Sequence, residues 1–158
     1  MSTAALIPAS GEPTDDVARL FVVFKVGGVD YALRAAEVLQ MESYTGAPTV
    51  PGARGFVTGI IQLRGRVVPV IDLRLRFGLP PIEPTLESRV VVGDKDGRSI
   101  ALLADTAREV VRIAPSQEEP PPRLVGDGGF VRSVVQAGDR TILVLDFAKV
   151  IGEEPIDV

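Results

Sequence analysis

The sequence predicts an all-β protein: two small five-stranded β-barrel subdomains of SH3-like size, built from an internal repeat and carrying short helices. Three observations predict it. Apolar runs have strand length and are separated by turn-forming residues at close intervals. Long helical periodicity is missing. And the chain repeats itself: shifted by 74 residues, Phe56 to Gly78 lies on Phe130 to Gly152 without a gap. Phe56/Phe130, Gln62/Gln136, Arg66/Arg140, Asp72/Asp146 and Gly78/Gly152 are identical pairs, and most apolar positions stay apolar.

In chain order, residues 1–18 are small, polar and punctuated by Pro and Gly, which predicts a tail. Leu20 to Val26 is a first strand, Gly27-Gly28 a tight turn and Tyr31 to Leu33 the return. Ala35 to Met41 fits a helical turn or a further strand, and Thr45 to Arg54 is loop, with Pro48 and Pro51 as breakers. Phe56 to Ile61 leads into a hairpin with Arg64 at its tip, where Gly65 suits positive φ. Val67 to Leu73 returns as a strand buried on both faces. Leu73 to Phe77 is a helical turn stopped by Gly78. Leu79 to Ser88, with three prolines, is a connector. Arg89 to Val92 and Ser99 to Ala104 form a hairpin about Asp94 to Gly97. Glu109 to Ile113 is a short strand, and Pro115 to Arg123 a proline-rich acidic loop. Phe130 to Val135 and Thr141 to Leu145 make the last hairpin, and Asp146 to Ile151 a short helix before Gly152. Repeats of about 19–78 and 89–152 follow, with a second tail at 153–158.

The composition removes much chemistry. Among 158 residues there is no histidine and no cysteine, so the commonest general base, the Ser-His-Asp triad, disulfides and thiolate metal sites are absent. The net charge is −4 with scattered basic residues, which does not suit nucleic acid. No apolar run reaches the roughly 18 residues of a membrane span, and Met1 to Asp16 lacks the pattern of a signal peptide, so the expectation is a cytoplasmic protein with no direct membrane insertion. The carboxylate pairs Asp15-Asp16, Glu118-Glu119 and Glu153-Glu154 are all assigned to tails or loops. The aspartates of Asp94 to Gly97 lack the downstream ligands of a calcium loop. No phosphate-binding glycine motif occurs. No catalytic constellation and no cofactor are expected.

The repeat also separates frame from function. Asp72 and Asp146 recur, each ahead of a helical turn that it can cap. Arg64 becomes Gly138 and Gly59 becomes Ser133, so folding alone does not demand them.

Phe21 to Phe24, Gly59 to Gly65 and Val68 to Arg74 resemble the CheW-like domain, over roughly residues 19–152. The family pattern is a glycine, Asn-Leu-Arg-Gly, a Val-Pro-Val strand, Asp-Leu-Arg and Phe-Gly. Here Gln62 stands in place of the asparagine. The resemblance implies a non-catalytic adaptor. It links the regulatory domain of a CheA-type histidine kinase to the cytoplasmic tips of methyl-accepting chemoreceptors, is recruited to receptor arrays through those partners, and extends to rings with other CheW-like domains. It implies receptor binding through Gln62, Arg64, Gly65 and Gln40, and kinase binding through Val38 and Gly59. Gln40 occupies a position where an acid is common, and Glu42 is expected to point elsewhere. Two alternatives stand beside this: an adaptor in a non-motility pathway, and a small β-barrel enzyme or ligand binder with two or more of Asp72, Asp105, Asp146 and Glu109 in an enclosed polar cavity.

Overall fold

The computed structural model describes residues 18–49, 51–53, 55–122 and 129–152. Both expected tails fall outside these residues apart from Ala18. Eleven strands and two short helices make up the described chain: β1 Arg19–Val26, β2 Val29–Arg34, β3 Val38–Ser43, β4 Val57–Leu63, β5 Arg66–Asp72, α1 Leu73–Arg76, β6 Arg89–Lys95, β7 Arg98–Ala104, β8 Thr106–Ile113, β9 Glu118–Glu119, β10 Val131–Ala137, β11 Arg140–Leu145 and α2 Phe147–Ile151. Among the described residues no helix is long and apolar enough to cross a membrane.

Turn chemistry sets the hairpins. Gly27-Gly28, Arg64-Gly65 and Asp96-Gly97 all have positive φ and close two-residue loops. That is the type I′ geometry, whose twist matches that of the strands it joins. The two ambiguous readings of 35–41 both occur in turn, as a 3-10 helix at Ala35–Glu37 followed by β3. One strand departs from expectation. Glu118-Glu119 is not loop but β9, paired with Val134 and Val135 of β10.

The strands form two sheets, in the orders β8-β1-β2-β11-β10-β9 and β3-β6-β7-β5-β4. Each sheet takes strands from both repeats. The first hairpin of one repeat joins the second hairpin of the other through a parallel pair, β2 with β11 and β5 with β7. Exchanging every strand for its repeat equivalent converts the order β8-β1-β2-β11-β10 into β3-β6-β7-β5-β4. The two subdomains are therefore strand-exchanged.

Among the described residues neither ladder closes into a barrel. In the first sheet a 3-10 turn at Pro115–Gln117 carries the chain from β8 round to β9, on the opposite edge. In the second, the chain beyond β3 crosses to β4, where the Ile60 N–H donates to the Pro48 carbonyl at 3.1 Å.

Strands such as β1 and β5 are buried on both faces, and the cluster a residue joins follows the strand period of two. Phe21 and Val23 of β1 face a cluster inside the first sheet, with Ala32, Ile113, Val135, Ile142 and Val144. Phe24 and Val26 face the largest cluster, with Leu33, Ile71, Leu73, Leu102, Leu145 and Phe147. It draws on both sheets and both helices. A third cluster, inside the second sheet, gathers Tyr44, Val68, Val70, Val90, Val92 and Ala101. Between the two helices the Arg76 guanidinium stacks on Phe56 at 4.2 Å and on Phe130 at 4.7 Å.

Candidate functional site

The β4–β5 hairpin projects Arg64 at its tip. Arg64 has φ of 52°, a left-handed conformation that costs a non-glycine residue about 1–2 kcal/mol. The corresponding β10–β11 turn puts Gly138 there, at φ of 68°, without that cost. Backbone strain of this kind collects at functional positions. Arg64 is exposed, and among the described residues its guanidinium makes no hydrogen bond or ion pair. Several arginines elsewhere in the fold are engaged. Arg140 grips Asp30 and Glu109, Arg74 grips Asp105, and Arg89 binds the carbonyls of Leu86 and Ser88.

Gln62 lies on the same hairpin end, exposed, opposite Val67. Its repeat equivalent, Gln136, accepts a hydrogen bond from Thr141 Oγ1 at 3.2 Å. Valine offers no hydroxyl, so the Gln62 amide has no such partner. The hairpin thus brings Gln62, Arg64 and Gly65 together at one tip, where among the described residues the Arg64 guanidinium and the Gln62 amide make no hydrogen bond. A guanidinium so placed can form paired bonds with a carboxylate or with backbone carbonyls.

Gln40 does not join that tip. Register places Gln40, Val92, Ala101, Val70 and Gly59 in one row across the second sheet. Gln40 and Gly59 are the two ends of the row, on the edge strands β3 and β4. Contrary to expectation, Glu42 does not point away from Gln40. Residues two apart on a strand share a face, and the Gln40 amide donates to Glu42 Oε2 at 2.7 Å. Gln40 and Glu42 therefore present an amide and a carboxylate together on one face of β3.

Val38 opens β3, half-buried against the largest cluster. Gly59 is buried within β4. Val38 and Gly59 thus lie on opposite edges of the sheet, and Gly59 presents no side chain to a partner.

The four carboxylates considered for catalysis are occupied. Asp72 Oδ1 accepts from the Arg74 N–H at 2.9 Å and Asp146 Oδ1 from the Lys149 N–H at 3.2 Å, so both cap helices. Asp105 takes two bonds from Arg74, at 2.9 and 2.8 Å, and one from the Gly27 N–H at 2.9 Å. Glu109 is held by both terminal nitrogens of Arg140. Asp72 and Asp105 share a hollow of only about 20 Å³, room for one water. A larger hollow of about 220 Å³ is lined by Lys25, Asp30, Glu109 and Arg140, whose charges neutralise one another. Glu118 was placed in a solvated loop by its sequence, yet it accepts a 2.7 Å bond from Ser133 Oγ. Among the described residues no group of three or more acidic side chains could hold a metal ion.

The residue that sequence reasoning passed over is Arg76. Besides its two ring contacts it donates to the Val150 carbonyl at 2.7 Å and the Lys149 carbonyl at 3.3 Å. It ties α1 to α2 and so one half of the chain to the other. A signal was available, since its repeat equivalent is Val150, as unlike arginine as Gly138 is.

Comparison with known proteins adds four matches. A family model described as the CheW-like domain matches residues 20–154. The chain is 32% identical to "Chemotaxis protein CheW" of Bacillus subtilis over 135 residues, covering 84% of this chain and 86% of that one. It is 28% identical to the protein of the same name from Rhizobium meliloti over 138 residues, covering 86% and 89%. Among solved structures, the scaffolding protein TtCheW of Thermoanaerobacter tengcongensis superimposes with a TM-score of 0.78 at 29% identity, over 84% of this chain and 92% of that one.

Proposed function

The chain belongs to the CheW-like domain family, and on that premise we propose that it couples chemoreceptor tips to the regulatory domain of a CheA-type histidine kinase. The coarser part, a scaffold role in chemotaxis, comes with the family and its relatives. A scaffold role fits a chain that performs no chemistry of its own. It works in the cytoplasm and reaches membrane receptor arrays through its partners.

One observation carries the finer reading: the strained, unpaired Arg64 on a tip whose repeat equivalent is a relaxed glycine. The receptor face is Gln62, Arg64 and Gly65, with Gln40 and its neighbour Glu42 contributing from the β3 edge. The kinase face lies at the edges of the second sheet, around Val38 and Gly59. A receptor helix offers carboxylates and C-terminal carbonyls, both ligands for a guanidinium.

The test is a reconstitution with a CheA-type kinase and a receptor fragment from the same organism. Wild-type chain forms the three-way complex. Arg64→Glu binds the kinase as before and loses receptor affinity at least tenfold, about 1.4 kcal/mol. Full receptor coupling by a folded Arg64→Glu protein sinks the assignment.

A further inference from the structure

Gly59 has no backbone reason to be glycine, since its φ is not among the positive ones. Its reason is space. A Cβ there would lie 2.3 Å from the Pro48 carbonyl oxygen and 3.0 Å from the Ala47 Cβ, and the first distance is one no real side chain tolerates. The same Pro48 carbonyl accepts the Ile60 N–H at 3.1 Å. The chain after β3 is therefore pressed onto the edge of β4. At its other end the segment is anchored by Tyr44, whose side chain is buried inside the second sheet and whose N–H donates to the Ser88 carbonyl at 3.2 Å. Along this segment Thr45, Gly46, Pro48 and Thr49 are exposed.

The repeat supplies the comparison. β9 holds the corresponding place beside β10, Val134 pairing with Glu119 where Ile60 meets Pro48. There Ser133 replaces Gly59, and its hydroxyl reaches Glu118. A side chain at this position is compatible with an edge segment held through that side chain. The Ala47-Pro48 segment is held instead by direct backbone approach, which only glycine permits.

We propose that residues 45–49 are themselves the contact for the kinase regulatory domain, and that Gly59 is a positioning residue that seats them without touching the partner. This rests on the kinase-binding reading above and gives it a mechanism. The segment runs from the β3 edge to the β4 edge, and so joins Val38 and Gly59, which the ladder separates. It carries no charge, so the surface that fits it is uncharged and a cation placed in it is disruptive.

Gly59→Ser and Thr49→Arg separate seat from contact. Amide hydrogen exchange at Ile60 reports the seat, and binding to an isolated kinase regulatory domain reports the contact. Gly59→Ser is expected to lose Ile60 protection at least tenfold and kinase affinity at least tenfold, with receptor affinity unchanged. Thr49→Arg is expected to keep Ile60 protection and lose kinase affinity tenfold. Two results overturn the proposal: wild-type kinase affinity in Thr49→Arg, or wild-type kinase affinity in a Gly59→Ser chain whose Ile60 amide has become free. Should Gly59→Ser fail to fold, Thr49→Arg still decides the contact. A wild-type chain that binds no such kinase domain overturns the functional reading instead, and exchange at Ile60 in Gly59→Ser then decides the seat alone.

Discussion

Burial raises the Asp72 carboxyl above its ordinary value of 3.8, although the N–H groups of Arg74 and Leu75 and the Arg74 charge pull it back. Burial also acts on Asp105, but there the Arg74 hydrogen bonds, the Gly27 N–H and the Arg74 charge outweigh it and hold the carboxyl low. The two respond to acid in opposite directions. Asp72 binds its proton more tightly in the folded chain, so its protonated form favours folding, a contribution lost as pH rises through the folded value. The Asp105 contribution is complete above the unfolded value and is lost as pH falls through the lower folded one. Asp72→Asn keeps an oxygen for the cap and removes a buried charge. It is expected to be at least as stable as wild type at neutral pH. Asp105→Asn gives up the paired bonds to Arg74 and is expected to lose about 1–2 kcal/mol at neutral pH, allowing for solvent screening, and much less near pH 3. Urea titrations at the two pH values check both. A destabilised Asp72→Asn at neutral pH contradicts the account of its burial.

On the scale of the element, the β4–β5 hairpin separates stability from recognition. Arg64→Gly relieves the left-handed strain and is expected to raise stability by up to about 1 kcal/mol while abolishing receptor coupling. A variant less stable than wild type shows that Arg64 packs rather than waits. The four hairpins were legible in the sequence because their turn residues and alternating apolar positions agree. So were the helix caps at Asp72 and Asp146, which recur. β9 was not legible, because Glu118 and Glu119 are acidic, flanked by Pro120, and paired for only two residues. At the candidate site, Arg64 stood out by its missing counterpart. The Glu42 contact was lost by treating position 42 apart from the shared face of a strand. Gly59 was marked as unusual, but its cause lay in a loop carbonyl eleven positions earlier, which no local pattern encodes.

For the molecule as a whole, the repeat was visible in the sequence but the exchange of hairpins between repeats was not. A repeat says which segments are alike, and nothing about which copy of a hairpin pairs with which. Arg76 lies where the halves meet. Removing it takes away a charge-assisted bond to Val150 and two ring contacts, so Arg76→Ala is expected to cost about 2–4 kcal/mol in a denaturant titration. Arg76→Lys recovers little, since an ammonium lacks the planar face. An unchanged midpoint for Arg76→Ala rules out the role. The parallel pairing of β2 with β11 has a further consequence, at the ribosome. Asp30 meets Arg140 across 110 positions of sequence. At ordinary elongation rates the nascent β1–β2 hairpin waits roughly 5–20 s for its neighbour. Through that interval the Phe24 and Leu33 side chains lack the Leu145 and Phe147 partners that later cover them. The first hairpin synthesised is among the last to be completed, and chaperone demand during translation should centre on it.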